Sequence, residues 1–413
     1  MHAIARDSAV RDTAAPTRGG SRSWSMAPLR CGGMGTRPPL AVLIAGGGVA
    51  ALEAALALRD LAGDLVSLRI LAPNGDFGYR PLSVREPFAH AKAARYSLSE
   101  LAASAGAELI EGEFAYLEAD RRVAITASGD ELPYDALLLG LGARTKDAFP
   151  HVTTIDAGHM DELLHGLVQD VEDGYARSVA FASPARQGWS LPLYELALMT
   201  AARAHDMGVA VELTVVTPEA SPLAFFGERA SQAVATLLDE AGVGVIAGVD
   251  AHVPEAGELL LMPGGRTLNA SRIVALPELF GPAVRGLPTG EHGFIPVDGN
   301  GRVRGVEDVW AAGDATDCPV KFGGLAAQQA DVAAASIAAA AGADVATPSD
   351  QPEIHAILLT GREPRYLSAR LVGGKGFDGE LTKEPTWQPV AKVNARYLTA
   401  YLDEATPLAA GPG

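Results

Sequence analysis

Three consecutive glycines near the start of the chain have the spacing of a phosphate-binding turn. Apolar residues 41–45 run directly into Gly46, Gly47 and Gly48, and apolar residues at helical spacing follow from Leu52 onward. Gly46 permits a sharp turn, Gly48 leaves the backbone open to a pyrophosphate, and the N-terminus of the following helix faces the anion. The stretch predicts a strand, a tight turn and a helix that bind a dinucleotide.

Two later stretches place glycines at the ends of predicted buried strands. Residues 136–139 are apolar and lead into Gly140 and Gly142, and residues 305–315 deliver Gly313 after another strand. Glycine at such positions lets the chain cross closely over a bound cofactor, because it has no side chain. Together with the glycine turn near the start of the chain, these stretches are the informative motifs of the sequence.

The order of these stretches resembles that of the FAD-dependent pyridine nucleotide-disulfide oxidoreductase superfamily. Residues 79–82 and 319–329 are most similar to the branch of type II NADH dehydrogenases and sulfide:quinone oxidoreductases, and the similarity spans roughly residues 40–345. The resemblance implies an α/β fold with two doubly wound, Rossmann-like nucleotide-binding domains and a small C-terminal region. The FAD domain would be discontinuous in sequence.

The resemblance also implies which residues hold FAD. Asp314 would accept a hydrogen bond from the ribityl chain, and the helix starting near Gly323 would direct its positive end to the pyrimidine edge of the flavin. Lys321 would favour the reduced flavin, the alternative being a solvated surface lysine. The expected FAD-binding residues are Gly46, Gly47, Gly48, Val49, Ala50, Ala51, Pro73, Asn74, Arg80, Pro81, Gly140, Gly142, Ala143, Arg144, Gly313, Asp314, Lys321, Phe322 and Gly323.

Four side chains are the candidates for catalysis: Lys321, Tyr79, Glu195 and Cys318. Tyr79 and Lys321 would border the isoalloxazine ring. Glu195 would lie near the substrate face of the flavin, the alternative being a solvated helix glutamate. Cys318 would be either a small buried hydrophobe or a thiol that forms a transient flavin adduct.

A second nucleotide-binding unit is predicted in residues 177–290, but its glycine turn is degenerate. Only Gly188 and Glu195 keep the spacing that the resembling family uses for NAD(P)H, and Ser190 and Leu193 replace the later glycines. The side chain of Leu193 would hold the helix away from the strand.

Trp189 would fill the space that a pyrophosphate needs in this second turn. Two interpretations stay open. Either NAD(P)H binds with an altered geometry through Arg186, or nicotinamide binding is lost and another donor supplies the electrons. Sulfide is disfavoured as that donor, because Cys318 is the sole cysteine of the folded body and the resembling sulfide oxidoreductases use a cysteine pair.

Composition and charge exclude several functions. The 413-residue chain has a net charge of −17, although residues 1–38 are basic, so nucleic acid is not an expected partner. No apolar run is long enough to span a membrane. His90, His292 and His355 lack partners at metal-ligand spacing, so no metal site is expected. Two cysteines far apart fit a reducing compartment, and a cytoplasmic location is expected.

The predicted organisation has five segments. They are a disordered leader (1–38), the first segment of the FAD-binding domain (39–150), a degenerate NAD(P)-binding-like domain (151–289), the second segment of the FAD-binding domain (290–345) and a C-terminal region (346–413). The last segment contains predicted strands around residues 354–371 and a helix beyond Pro389, with Val390, Val393 and Tyr397 on one face. This helix could rest on a membrane, cover the flavin or pack between subunits, but packing on its own domain is expected.

The sequence therefore predicts an FAD-dependent oxidoreductase that passes two electrons through flavin to a quinone or similar acceptor. Its donor would be a small molecule, NAD(P)H being one option. The alternatives are a flavoprotein with a non-nicotinamide donor and a flavin-bearing electron carrier whose second domain binds a partner protein. Membrane association is not expected, and a homodimer is left open.

Overall fold

The structure, a computed structural model, describes residues 38–89, 92–346, 352–371 and 376–408. A compact unit begins at Pro39. The predicted leader, apart from Pro38, and His90 lie outside the described residues. No helix of the described residues is long and apolar enough to cross a membrane.

The N-terminal third of the described chain builds most of a parallel sheet. This third of the chain contains the helices α1 (Val49–Ala62) and α2 (Leu98–Ser104). It also contains the strands β1 (Leu40–Ala45), β2 (Val66–Ala72), β3 (Asp76–Gly78), β4 (Arg95–Ser97), β5 (Ala107–Glu111), β6 (Phe114–Glu118), β7 (Val123–Thr126), β8 (Glu131–Pro133), β9 (Ala136–Leu139) and β10 (Arg144–Lys146). β1 pairs in parallel with β2 and β9, and β2 with β5. β6, β7 and β8 form a separate antiparallel sheet, whereas β5 extends the parallel sheet.

The middle of the chain forms a second parallel sheet with the order β11-β18-β12-β13-β14 and an antiparallel β15-β16-β17 sheet. Its strands are β11 (Thr153–Thr154), β12 (Ser178–Ala182), β13 (Glu212–Val216), β14 (Val243–Ile246), β15 (Asp250–His252), β16 (Glu258–Met262), β17 (Arg266–Asn269), β18 (Arg272–Ala275) and β19 (Glu278–Phe280), and its helices are α3 (Met160–Glu172), α4 (Leu191–Met207) and α5 (Glu228–Glu240). Strands such as β12 are buried and apolar, as expected for a parallel sheet covered on both faces.

The chain then returns to the first sheet. β20 (Val309–Ala311) pairs with β9, which gives the order β20-β9-β1-β2-β5. The alanine-rich α6 (Gly323–Ala341) packs against α1, and their small side chains share one buried core. The first sheet is thus built from two segments separated by the second sheet, which confirms two doubly wound domains with a discontinuous first domain. The boundaries at residues 150, 289 and 345 stay predictions.

The C-terminal region packs on both domains. β21 (Glu353–Leu358), β22 (Arg365–Leu371) and β23 (Phe377–Thr382) form an antiparallel sheet. β21 and β22 confirm the strands predicted around residues 354–371, whereas β23 was not predicted. Ile354 and Leu367 of this sheet join the core of the second domain. We call residues 387–404, which follow it, the C-terminal strap.

The predicted C-terminal helix is wrong in extent. Only α7 (Leu398–Glu404) is helical, and Val390 is exposed whereas Val393 is buried. Tertiary hydrogen bonds explain the difference, because the backbone N–H groups of Val393 and Tyr397 donate to side chains of the first domain. Those contacts replace the bonds that a longer helix would make.

Candidate dinucleotide site

The glycine turn after β1 has the geometry of an anion site. Gly46 has a φ of 133°, and a Cβ there would collide with the carbonyl of Gly140. A Cβ on Gly140 would in turn lie 3.0 Å from the backbone nitrogen of Ala51. Strand and helix therefore approach closely only because these positions are small, as the sequence predicts.

The N-terminus of α1 is free to bind an anion. Gly48 is the N-cap residue, no side chain caps the helix, and a Cβ on Gly48 would meet nothing within 4 Å. Free N–H groups at a helix start, together with the helix dipole, favour a phosphate. The residues present therefore fit a pyrophosphate.

Gly313 and Asp314 lie against this turn. Gly313 has a φ of 78°, and a Cβ on it would lie 3.1 Å from the Cβ of Ala50 and 3.3 Å from the Cβ of Ala326. Its N–H donates to Oε1 of Gln329 at 2.8 Å. Gln329 lies within the stretch that carries the resemblance, but it was not among the predicted site residues.

Asp314 has a carboxylate without a hydrogen-bond partner among the described residues, although it is half-buried. Burial raises the pKa of this carboxyl, and the charge of Lys321 acts in the opposite direction. Because no protein donor occupies this carboxylate, its oxygens are available to accept a hydrogen bond from a ligand hydroxyl. The carboxylate therefore fits the ribityl chain of FAD.

Lys321 lies at the start of α6 and is only 6% exposed, so the alternative of a surface lysine is wrong. Its ammonium donates to the carbonyl of Thr316 and lies 4.1 Å from the ring centroid of Phe294. Its backbone N–H donates to the carbonyl of Gly188 at 3.0 Å, and a Cβ on Gly188 would overlap the Lys321 side chain. The second-domain glycine thus makes room for Lys321.

The loop containing Tyr79 contacts the C-terminal strap. The Tyr79 hydroxyl accepts a hydrogen bond from the N–H of Val393 at 2.9 Å. Burial raises the pKa of Tyr79 to about 12. Val393 also packs on Gly323, where a Cβ would lie 2.7 Å from Val393 Cγ2. The strap therefore lies against both Tyr79 and the start of α6.

The remaining predicted residues of the site are more open to solvent. Pro73, Asn74, Arg80 and Arg144 are exposed, while Pro81, Gly142, Ala143 and Phe322 are half-buried. Cys318 is half-buried and has no disulfide. The portion of the chain that the structure describes has no group of three or more His, Cys, Asp or Glu side chains that could hold a metal ion.

In the second domain, side chains of the protein itself bind the carboxylate of Glu219, which follows β13. Glu219 accepts hydrogen bonds from the hydroxyls of Ser190 at 3.0 Å, Tyr194 at 2.7 Å and Thr217 at 3.2 Å. An acidic residue near the end of the second strand of such a unit binds the ribose of a dinucleotide. Here this carboxylate is already bound by the residues that begin α4. Glu219 was not among the predicted residues, because its partners lie up to 29 residues away in the sequence.

Aromatic rings fill the second turn. Trp189 stacks on Phe322 with ring centroids 4.3 Å apart and an interplanar angle of 12°, and it also contacts Phe225 and Phe226. Arg186 donates to both carboxylate oxygens of Glu278 at 2.9 Å. The guanidinium considered for NAD(P)H is therefore engaged within the protein.

Glu195 is buried, so the alternative of a solvated helix glutamate is wrong. Its carboxylate accepts hydrogen bonds from Nζ of Lys392 and from the N–H of Leu359, the latter at 2.9 Å. The side chains of Glu195 and Lys392 are 1% and 7% exposed. Burial raises the pKa of Glu195, and Lys392 opposes that shift. The structure thus places Glu195 in an ion pair that fastens the C-terminal strap to the second domain.

The fold and the site define a class of protein with two dinucleotide-binding domains, of which only the first has an open phosphate turn. Residues 195–342 match the family described as pyridine nucleotide-disulphide oxidoreductase. This match and the fold both support the resemblance to the FAD-dependent pyridine nucleotide-disulfide oxidoreductase superfamily. The sequence has no significant match among curated proteins.

Three solved structures share the fold. The sulfide:quinone oxidoreductase of the hyperthermophilic bacterium Aquifex aeolicus has a TM-score of 0.72 and 20% identity, with 83% of this chain and 87% of that chain covered. A NAD-dependent persulfide reductase from A. fulgidus has a TM-score of 0.60 and 19% identity, with 82% of this chain and 65% of that chain covered. A ferredoxin reductase from Rhodopseudomonas palustris has a TM-score of 0.62 and 20% identity, with 81% of this chain and 83% of that chain covered. At these identities the likeness shows the fold alone.

Proposed function

We propose that the protein is an FAD-dependent oxidoreductase that moves two electrons from a non-nicotinamide donor to a quinone or another small acceptor. The observation that carries the FAD assignment is the open turn at Gly46–Gly48 together with the carboxylate of Asp314, which accepts no hydrogen bond from the described residues. When bound, FAD supplies the redox chemistry, and the protein supplies orientation and electrostatics.

The residues of the first domain would each act on one portion of the cofactor. The N–H groups at the start of α1 would bind the pyrophosphate, and Asp314 would accept a hydrogen bond from the ribityl chain. The uncapped N-terminus of α6 would favour negative charge on the pyrimidine edge of the flavin. Lys321 would add positive charge near Asp314, which its burial between Thr316 and Phe294 supports.

The second domain supports a donor other than NAD(P)H. Glu219 is bound by Ser190 and Tyr194, and Trp189 occupies the turn through its stack on Phe322. Dinucleotide binding there would have to break these contacts and leave a buried carboxylate without partners, which is costly. Of the two interpretations of the sequence, the loss of nicotinamide binding is therefore favoured.

A quinone acceptor is suggested by the branch resemblance and by the name of the Aquifex aeolicus protein. Sulfide is a weaker candidate for the donor, because the sequence offers only Cys31 and Cys318. A soluble redox protein is the alternative acceptor, since the Rhodopseudomonas palustris protein is a ferredoxin reductase.

Anaerobic mixing of the purified protein with candidate donors tests the proposal. We expect the visible band of oxidised flavin to bleach slowly with NADH and NADPH, and to recover when a short-chain quinone is added to protein reduced with dithionite. Fast bleaching by either nicotinamide at substoichiometric protein would contradict the proposed donor class. The absence of any flavin band in protein that was incubated with FAD and then separated from free FAD by gel filtration would contradict the cofactor assignment.

A further inference from the structure

One buried carboxylate accepts two of the hydrogen bonds that hold the C-terminal strap to the first domain. Glu53 lies on α1, is 0% exposed, and accepts hydrogen bonds from the N–H of Tyr397 at 2.9 Å and of Leu398 at 2.6 Å. These N–H groups stand at the start of α7, where a helix has unsatisfied donors. Glu53 therefore caps α7 from another element, and it does so best as a charged acceptor.

Asp331 on α6 is the neighbour of Glu53 in this buried site. The two carboxyl groups are within hydrogen-bond reach of each other. Oδ1 of Asp331 is fully buried and has no donor among the described groups. Two carboxylates at this distance cannot both ionise without strong repulsion. A proton on Asp331, donated to Glu53, satisfies both observations.

We propose that Glu53 and Asp331 share one proton and form a pH-sensitive latch that holds the C-terminal strap against the first domain. Protons reach the pair from solvent, because Asp331 also borders a cavity of about 530 Å³ between α6, β21, β22 and the strap. The other titratable or charged groups that face this site are Asp60, Glu353, His355, Arg370, Arg396 and Tyr397.

The neighbouring groups do not replace the pair. Arg370 is bonded to Glu353, and the Tyr397 hydroxyl donates to Asp60. Arg396 lies near Asp331 without forming an ion pair, and its charge lowers the pKa of that carboxyl. Burial, as the largest cause, and the charge of Glu53 outweigh this effect and raise the pKa of Asp331 to about 7.

The direction of the pH effect follows from this raised pKa. The closed strap binds the shared proton more tightly than an open strap, in which Asp331 would be more hydrated. Closure is therefore favoured at low pH and weakens as pH rises toward about 7. Above that value both states have lost the proton, so the dependence levels off.

The latch is connected to the proposed flavin site by Val393 of the strap. Val393 packs on Gly323 and donates its N–H to the Tyr79 hydroxyl. That consequence rests on the proposed function, whereas the latch itself does not. Opening of the strap would uncover the N-terminal end of α6. Access to that end would then increase between acidic and neutral pH.

Hydrogen exchange of the full-length protein, followed by mass spectrometry, tests the latch. The reporters are peptides that contain the N–H groups of Tyr397 and Leu398, with exchange corrected for its intrinsic pH dependence. We expect their protection factors to fall at least tenfold between about pH 5.5 and about pH 7.5, since one pKa unit corresponds to a factor of ten, and to level off above.

The variant Asp331→Asn carries a neutral amide that donates to Glu53 at every pH, so its protection should stay within about threefold of the acidic value across the range. Asp239→Asn, an exposed change on α5, should keep the wild-type fall. Glu53→Gln should lower protection at every pH, which gives a second test if Asp331→Asn does not fold.

Wild-type protection that does not change with pH would overturn the latch, as would a wild-type fall retained in Asp331→Asn. The measurement does not involve electron transfer. A failed latch would therefore leave the proposed function standing, and a failed bleaching assay would leave the latch standing.

Discussion

At the scale of single residues, three buried or half-buried carboxylates differ in what satisfies them. Glu219 is bonded by three hydroxyls of its own domain, and Glu195 is neutralised by Lys392. Asp314 has no partner among the described residues. Because no protein donor occupies its oxygens, Asp314 is available to a ligand, whereas neither glutamate is.

Asp314→Ala should weaken FAD binding. Loss of one hydrogen bond to a ligand from a charged acceptor costs about 1.5–3 kcal/mol, which raises the dissociation constant at least about tenfold. Titration of apo-protein with FAD, followed by quenching of flavin fluorescence, measures the change. Asp344→Ala, an exposed change just beyond α6, is the matched control and should bind FAD as the wild type does. An unchanged constant in Asp314→Ala would remove this carboxylate from the site.

Lys392→Met should destabilise the fold strongly. It leaves Glu195 buried without its cation, a change that typically costs about 3–5 kcal/mol. Replacing both partners, as Glu195→Leu with Lys392→Met, should restore most of the free energy of unfolding, because no buried charge then remains. Denaturant titrations compare these variants with Arg362→Met, which breaks an exposed ion pair with Asp206 and should have little effect. Equal losses in the single and the double variants would argue against the ion pair as the cause.

At the scale of elements, the turn between β12 and α4 packs against the residues at the start of α6. Its Gly188 accommodates the side chain of Lys321, and its Trp189 stacks on Phe322. The same position in the first domain, between β1 and α1, is open at Gly48. Two units with the same order of elements therefore differ in what their turns contact.

Gly188→Ala tests that packing. The new methyl group would overlap Cβ and Cγ of Lys321, and such overpacking costs about 1–3 kcal/mol. Gly166→Ala, in an exposed position of α3 with open space around it, should be neutral or slightly stabilising. Thermal denaturation of the two variants makes the comparison. Equal melting temperatures would show that the turn does not need glycine at residue 188.

The elements that sequence reasoning predicted well are those whose signals are local. β1, the glycine turn and α1 follow one another within 23 residues, so periodicity and glycine spacing suffice. The C-terminal helix was predicted from the same kind of periodicity and failed, because Glu53 and Tyr79, more than 300 residues away, bond its backbone. The burial of Glu195 was missed for the same reason, since Lys392 lies 197 residues further along the chain.

At the scale of the whole molecule, the two domains are connected by more than their linkers. The C-terminal strap contacts the second domain through Lys392 and the first through Val393, Tyr397 and Leu398. Both attachments involve buried carboxylates on helices of the two domains. The strap therefore contacts the proposed flavin site and both domains. From the sequence, only a C-terminal helix was predicted here, and its packing partner was left open.

The central claim is that the molecule binds FAD at the turn between β1 and α1. Side chains of the protein itself occupy the corresponding site in the second domain. Calorimetric titration of the FAD-loaded protein with NADH and NADPH tests this claim most directly. The account predicts one FAD per chain and no saturable nicotinamide binding at concentrations up to about 1 mM, an affinity limit of roughly −4 kcal/mol. Stoichiometric binding of either nicotinamide at micromolar concentration would contradict it.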